Sequence, residues 1–345
     1  MGLWESEGGS GSLNIAKTHV VSVTGGEYAT ITLALAACSE GDTIIVYPGS
    51  YIESIVIPHN NISIIGMGAA CNTTLTQVDT KVIDFGATTG GNIENFTISL
   101  TAPTTAINAI QGTTGNFQTN MCQSTLTCTQ ALEQADQPTI GYVSGAGTLD
   151  FNLGKVTYTH SGDTDDQGIK APFKAGAGGE VTCYNIKQID INGSGSGSVT
   201  APAIVVGTGH VILKKCDIDV DDDTCTTVAG MGYIGSVTSI TTEFIRNTIH
   251  VHGAANNAYG AFALLGSFRS AFNHIHVETS GVGKAYSFVN NGAGTVNSHM
   301  DDIIADDGYT GTGTINMVSS NDDGDLTVTG TSTLGKTIIE IQVFS

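Results

Sequence analysis

The 345-residue sequence predicts an all-β solenoid, a coil of short strands closed at its start by one helix. Three observations carry this. Short β-branched runs, Thr43 to Tyr47, Ile52 to Ile57 and Ile62 to Ile65, are separated by turns such as Pro48-Gly49 and Pro58-His59-Asn60-Asn61. Five segments beginning at Ile186, Lys215, Asn247, Asn273 and Asp301 align so that Ile191, Ile218, Ile249, Ile275 and Ile303 coincide, at intervals of 26 to 31 residues. A unit of that length is one turn, which buries its apolar side only against the next. The 45 glycines against 6 prolines suit a chain that turns often between short strands.

Taken in order, residues 1–16 read as an arm whose large group is Trp4, the single tryptophan of the chain. Such a residue suits docking onto another subunit. Thr30 to Cys38 is the expected helix, with Thr30 as N-cap, Ile31, Leu35 and Cys38 on one side and Gly41 as the stop. A helix there shields the first turn, whose apolar interior and strand edge would otherwise face water. Lys81 to Phe85 and Asn92 to Ile98 continue the strand pattern. Between residues 100 and 180 the repeat fades: Cys122 to Gln137 suggests a short helix and Thr148 to His160 an exposed two-stranded ribbon, hence a lateral insertion on a coil spanning 17–308. Residues 309–345 end in a strand-like tail with Ile338, Ile339, Ile341, Val343 and Phe344, a cap or an intersubunit strand.

The words Tyr28-Ala-Thr-Ile31, Gly41-Asp-Thr-Ile-Ile-Val-Tyr-Pro-Gly-Ser-Tyr51 and Ile62-Ser-Ile-Ile-Gly-Met-Gly68 resemble the N-terminal cap and first coil of the pectinesterase and pectate-lyase-like superfamily. That resemblance implies a right-handed, single-stranded parallel β-helix with a short N-terminal capping helix. It leaves activity open, because such β-helices serve as enzymes, bacteriophage tailspikes and virion-surface proteins. The enzymes' motifs are broken in this chain. Val82-Ile83-Asp84-Phe85-Gly86 is a shortened pectinesterase-like word without its partners, Asp165-Asp166 stands alone for the polygalacturonase set, and neither Arg246 nor Arg269 has the pectate-lyase context.

Only 12 Lys and Arg face 32 Asp and Glu, a net charge of -20. This argues against nucleic acid, anionic membrane surfaces and strongly anionic polysaccharides as partners. Seven cysteines without a C-x-x-C pair read as reduced core residues. The first residues lack a secretory pattern, so assembly in a cytoplasm is expected.

Residues flanking the inward isoleucines should stack in outward columns. One expected column is Asp190, Asp217, Thr248, His274 and Asp302; the other is Asn192, Asp219, His250 and His276. Paired carboxylates suit glycoside hydrolysis, and stacked histidines beside Asp219 suit a divalent metal. An enzyme would therefore use Asp217 and Asp219 with His250 or His276. Polar columns also occur on any solvated solenoid face, and the expectation is a non-enzymatic, cofactor-free virion surface protein, a homotrimeric capsid decoration bound to other capsid proteins. The alternative is a tailspike or secreted β-helix that binds or cleaves a cell-surface polysaccharide.

Overall fold

In the computed structural model the described residues are 16–68, 71–101, 107–128, 139–152, 154–163, 169–195, 199–205, 208–222, 227–230, 232–233, 240–253, 257–263, 267–279, 285–290, 295–299, 301–304, 307–311, 314–318, 321–322 and 333–337. They form a right-handed parallel β-helix. Sheet A has thirteen strands, from Thr18–Val21 to Thr333–Thr337, and sheet B has eleven, from Gly49–Tyr51 to Asn321–Asp322. The third side is shared by a six-stranded sheet over the early turns and a seven-stranded sheet over the later ones. Every named pairing is parallel, as coiling in one direction requires. Thirteen stacked strands span about 58 Å.

The helix runs from Ile31 to Ala37, and the Leu33 backbone N–H donates to the side chain of its N-cap, Thr30. Ile31, Ala34, Leu35 and Cys38 are buried beneath it against the first turn. Glu53 holds the start of the helix, accepting from the backbone N–H groups of Ile31 and Thr32. A carboxylate suits that end, where unpaired N–H groups and the helix dipole converge. Burial, with the carboxylates of Asp42 and Glu27 nearby, pushes the Cys38 thiol up to about 11.

Inside the coil, alternate residues stack into apolar columns. The Phe85 and Phe117 rings lie parallel with centroids 5.2 Å apart, and Phe151 meets Phe173 edge-on at 5.3 Å. Gly112 is required by this packing, because a Cβ there would fall within the Phe85 ring.

Four expectations change. The first part of the expected helix from Cys122 to Gln137 is a strand, Gln123–Cys128, in which Ser124, Leu126 and Cys128 point inward, and residues 129–137 lie outside the described residues. Thr148–Asn152 and Lys155–Asp163 are strands of sheets A and B paired to neighbouring turns, not a separate ribbon. The described residues between 107 and 175 thus build regular turns. Cys71 and Cys122 form a disulfide across 51 residues, while Cys38, Cys128, Cys183 and Cys216 are buried in the core as expected. Finally, Ile189 pairs with Ile218, and Asp190 with Asp219. This moves Asp190 into the Asp219 column and places Asn192 beside Asp221. The slip is of two residues, which leaves every side chain on its own face and so is invisible to the apolar pattern. Trp4 and the tail residues Ile338, Ile339, Ile341, Val343 and Phe344 lie outside the described residues, as do Asp165 and Asp166.

Candidate binding surface

Each turn passes from sheet A to sheet B through a sharp corner. Asn95, Asn185, Lys215, Arg246 and Phe272 occupy it with φ of 62°, 55°, 54°, 57° and 58°. The left-handed residue reverses the side-chain alternation and throws its own side chain outward. Backbone hydrogen bonds from Asn185 to Lys214, Lys215 to Ile245, Arg246 to Ala271 and Phe272 to His299 stack these corners in register.

The residue after each corner points inward. Phe96, Ile186 and Cys216 are buried there in successive parts of the coil, and Asn247, Asn273 and Asp301 follow. These last three form a hydrogen-bonded ladder. Asn247 Oδ1 accepts from the Cys216 N–H at 2.9 Å, Asn273 Oδ1 from the Asn247 N–H at 2.8 Å, and Asp301 Oδ1 from the Asn273 N–H at 2.9 Å. The amide groups also donate to the buried carbonyls of Leu213 and Phe244. Fully satisfied interior polar groups of this kind hold the corners in fixed register.

Outside, cations gather along this edge of an acidic molecule. Half of the chain's 12 Lys and Arg residues sit on the corner or the strands meeting it: Lys155, Lys187, Lys214, Lys215, Arg246 and Arg269. Lys155 pairs with Asp190 at 2.8 Å and Arg269 approaches Glu243 at 4.0 Å. Lys187, Lys215 and Arg246 have no carboxylate partner among the described residues. Lys215 lies over the Tyr184 ring at 5.2 Å and donates to its hydroxyl, and Arg246 lies over Phe272 at 5.7 Å. The Lys215 ammonium lowers the Tyr184 pKa. Lys187 is one residue more than the next turn carries between its corner and its sheet B strand, and it stands between two hollows. The larger, about 710 Å³, is lined by Asn95, Asn120, Met121, Lys155, Lys187 and the Cys71–Cys122 disulfide. The smaller, about 240 Å³, is lined by Asn185, Lys187, Lys215, Asp217, Arg246 and Thr248.

Beside the corner runs the outer face of sheet B. Its first column is Asp217, Thr248, His274 and Asp302; its second is Asp190, Asp219, His250, His276 and Ile304; its third is Asn192, Asp221, His252 and Glu278. His276 Nδ1 and His250 Nε2 share a hydrogen bond of 2.8 Å. His252 meets Asp221 at 3.1 Å, and His274 meets Asp302 at 2.9 Å. Burial raises the Asp219 pKa; His250 opposes this, and the carboxylates of Asp190, Asp221 and Asp217 add to it. The structure thus brings Asp219, His250 and His276 into one column and sets Asp217 in the next, against the smaller hollow.

Aligning the turns on their inward isoleucines and the polar residues beside them does not bring the corner cations Lys187, Lys215 and Arg246 into one column. Asn185, Lys215, Arg246 and Phe272 directly precede Ile186, Cys216, Asn247 and Asn273. A column continued by one or two residues toward the N-terminus would have shown them.

No family model and no curated protein matches the chain. Among solved structures, a carrot pectin methylesterase is similar over 93% of this chain and 88% of its own, at 14% identity and a TM-score of 0.43. The A-module of the mannuronan C-5 epimerase AlgE6 of Azotobacter vinelandii is similar over 89% of this chain and 93% of its own, at 13% identity and a TM-score of 0.28.

Proposed function

We propose that this β-helix is a glycan-binding surface protein whose corner groove holds an extended polysaccharide carrying carboxylate or sulfate groups. The observation that carries this reading is the run of Lys187, Lys215 and Arg246 at successive turns, without carboxylate partners among the described residues, along two hollows that share Lys187. Strands of adjacent turns are about 4.8 Å apart, close to the length of one sugar residue in an extended chain, so a polymer along the axis presents its charges in step with the turns. Tyr184 and Phe272 offer ring faces beside the cations, as sugar and guanidinium stacking favour. The overall charge of -20 opposes bulk attraction, so such a site would select anionic chains by the position of Lys187, Lys215 and Arg246 along the hollows.

The test is binding of polygalacturonate, a sulfated dextran and neutral dextran to the full chain at several salt concentrations. The two anionic polymers should bind and neutral dextran should not, with affinity falling as salt rises. The triple variant Lys187→Ala/Lys215→Ala/Arg246→Ala should lose at least about tenfold. Equal binding of neutral dextran, or unchanged affinity in the triple variant, would overturn the reading.

A second reading, the capsid-decorating protein, draws on a different surface. Val23, Tyr47, Ile52, Val56 and Met67 are exposed apolar side chains on the first turns, Ile52 at 77%. An apolar end of this kind suits attachment to a shell or to sister subunits. A solution mass of three chains, lowered by Ile52→Asp/Met67→Asp, would favour it; a monomer at micromolar concentration counts against it.

A further inference from the structure

Outside the corner groove, one cluster of chemically versatile side chains is buried at the N-terminal end. His19, on the strand Thr18–Val21, Cys38, the C-cap of the helix, and Asp42, just before the strand Thr43–Val46, are 5%, 6% and 2% exposed. A ring nitrogen of His19, the Cys38 sulfur and a carboxylate oxygen of Asp42 lie within 4.8 Å of one another.

Asp42 is held by its surroundings. Its Oδ1 accepts from the Lys17 N–H at 2.7 Å, and its Oδ2 accepts from the Ser39 N–H at 2.8 Å and lies 3.1 Å from His19 Nε2. The other ring nitrogen, Nδ1, is buried and has no hydrogen-bond partner among the described residues. A helix end that needed only a polar pin would be served by the carboxylate and its backbone N–H groups. It would not need a buried imidazole with one nitrogen bare, next to a buried thiol. Burying an unpartnered polar atom costs stability, and a cation accepted there removes that cost.

We propose that His19, Cys38 and Asp42 form a binding site for one zinc-class divalent cation that staples the first strand, the capping helix and the first turn together. The mixed sulfur, nitrogen and oxygen set suits a borderline-soft ion, and the 3.1 Å between Nε2 and Oδ2 is near the separation of roughly 3.3 Å that two ligands make on one tetrahedral ion. With the ion on Nε2, Asp42 is itself a ligand, the ring proton moves to Nδ1, and the gain is the metal bonds alone, since Nδ1 stays unpartnered. With the ion on Nδ1, Asp42 keeps the Nε2 proton and orients the ring, a common outer partnership of metal-bound histidine. In both arrangements Cys38 gives up its thiol proton to solvent and binds as thiolate, so the site takes up the ion with release of one proton.

The experiment uses the full-length protein stripped of metal by chelation, with cobalt(II) as the optical probe and zinc(II) as competitor. One equivalent of cobalt should produce the thiolate-to-metal absorption band and the intense visible bands of a tetrahedral site, zinc should abolish both, and zinc should raise the thermal midpoint. Cys38→Ser should remove the charge-transfer band, and His19→Gln should lower zinc affinity at least roughly 100-fold. The double variant His250→Ala/His276→Ala should keep the band, which separates this site from the surface histidines. Absence of the band in the wild-type protein, its persistence in Cys38→Ser, or its loss in the His250/His276 variant would overturn the proposal. Should the Cys38 and His19 variants fail to fold, X-ray absorption of the zinc-loaded wild-type protein decides: a sulfur neighbour near 2.3 Å supports the site, and its absence refutes it.

Discussion

The early and late turns of this coil fill the same interior in different ways. Around Phe85, Phe96 and Phe117 the core is aromatic, with stacked rings and a glycine, Gly112, cleared to admit them. From Asn247 onward the position inside the corner is polar, and the turns are joined by amide-to-backbone hydrogen bonds running parallel to the axis. The early solution gains from burial, which tolerates small shifts of register. The late one is directional, so each turn must sit directly above the last. The late turns are also those that present Arg246, Phe272 and the histidine columns, where a surface assembled from several turns depends on exact spacing.

Three substitutions probe that difference. Phe117→Ala in the aromatic half should cost about 3–5 kcal/mol through lost burial and the cavity left against Phe85, read as a lower denaturant midpoint. Asn273→Ala in the ladder should cost about 2–4 kcal/mol, because the Phe244 carbonyl and the Asn247 N–H lose their partner without gaining water. It should also loosen the surface: amide exchange should rise in the turns around Asn247 and Asp301 more than around Phe117, and equal protection in both halves would contradict the contrast. The smallest effect is expected at Asp301. Burial raises its pKa, and the hydroxyls of Ser270 and Ser298 and the amide groups of Asn273 only partly offset this. Its folded-state pKa therefore lies above the unfolded value of about 3.9, so the native state holds the proton more tightly and stability declines as pH rises through that interval. Asp301→Asn keeps the acceptor for Asn273 and removes the ionisation. It should match the wild type at acid pH, where both are uncharged, and be the more stable of the two at neutral pH, measured by urea unfolding. A variant less stable than wild type at neutral pH would show that the carboxylate is needed.

Legibility in the sequence followed the length scale of each signal. The capping helix was plain because Thr30, Ile31 and Leu35 state its start and face within one short segment, although it ends at Ala37, short of the expected stop at Gly41. The stacking of Ile218, Ile249 and Ile275 was plain because each turn repeats one inward residue. The strand Gln123–Cys128 was hard to read because its inward alternation, Ser124, Leu126 and Cys128, is only three residues deep. Asp190 falls in a different column from the expected one because Ile189 and Ile191 both point inward, so that either could stack on Ile218 without disturbing the apolar pattern. The Cys71–Cys122 bond was hidden because sequence spacing says nothing of two residues brought within 5.6 Å by coiling. Of the candidate site, the histidine and aspartate columns were legible and the cationic corner was not, since it lies N-terminal to the inward isoleucines on which the turns align.

That geometry carries one more consequence. A left-handed backbone is cheapest for glycine and tolerable for asparagine, yet the corner holds lysine, arginine and phenylalanine at Lys215, Arg246 and Phe272. Each forgoes a conformational gain of order 1 kcal/mol that a glycine would bring. The fold therefore does not ask for these side chains, and a strip of the molecule can be rewritten, residue by residue and at no loss of rigidity, to face a different ligand while the coil beneath it stays as it is.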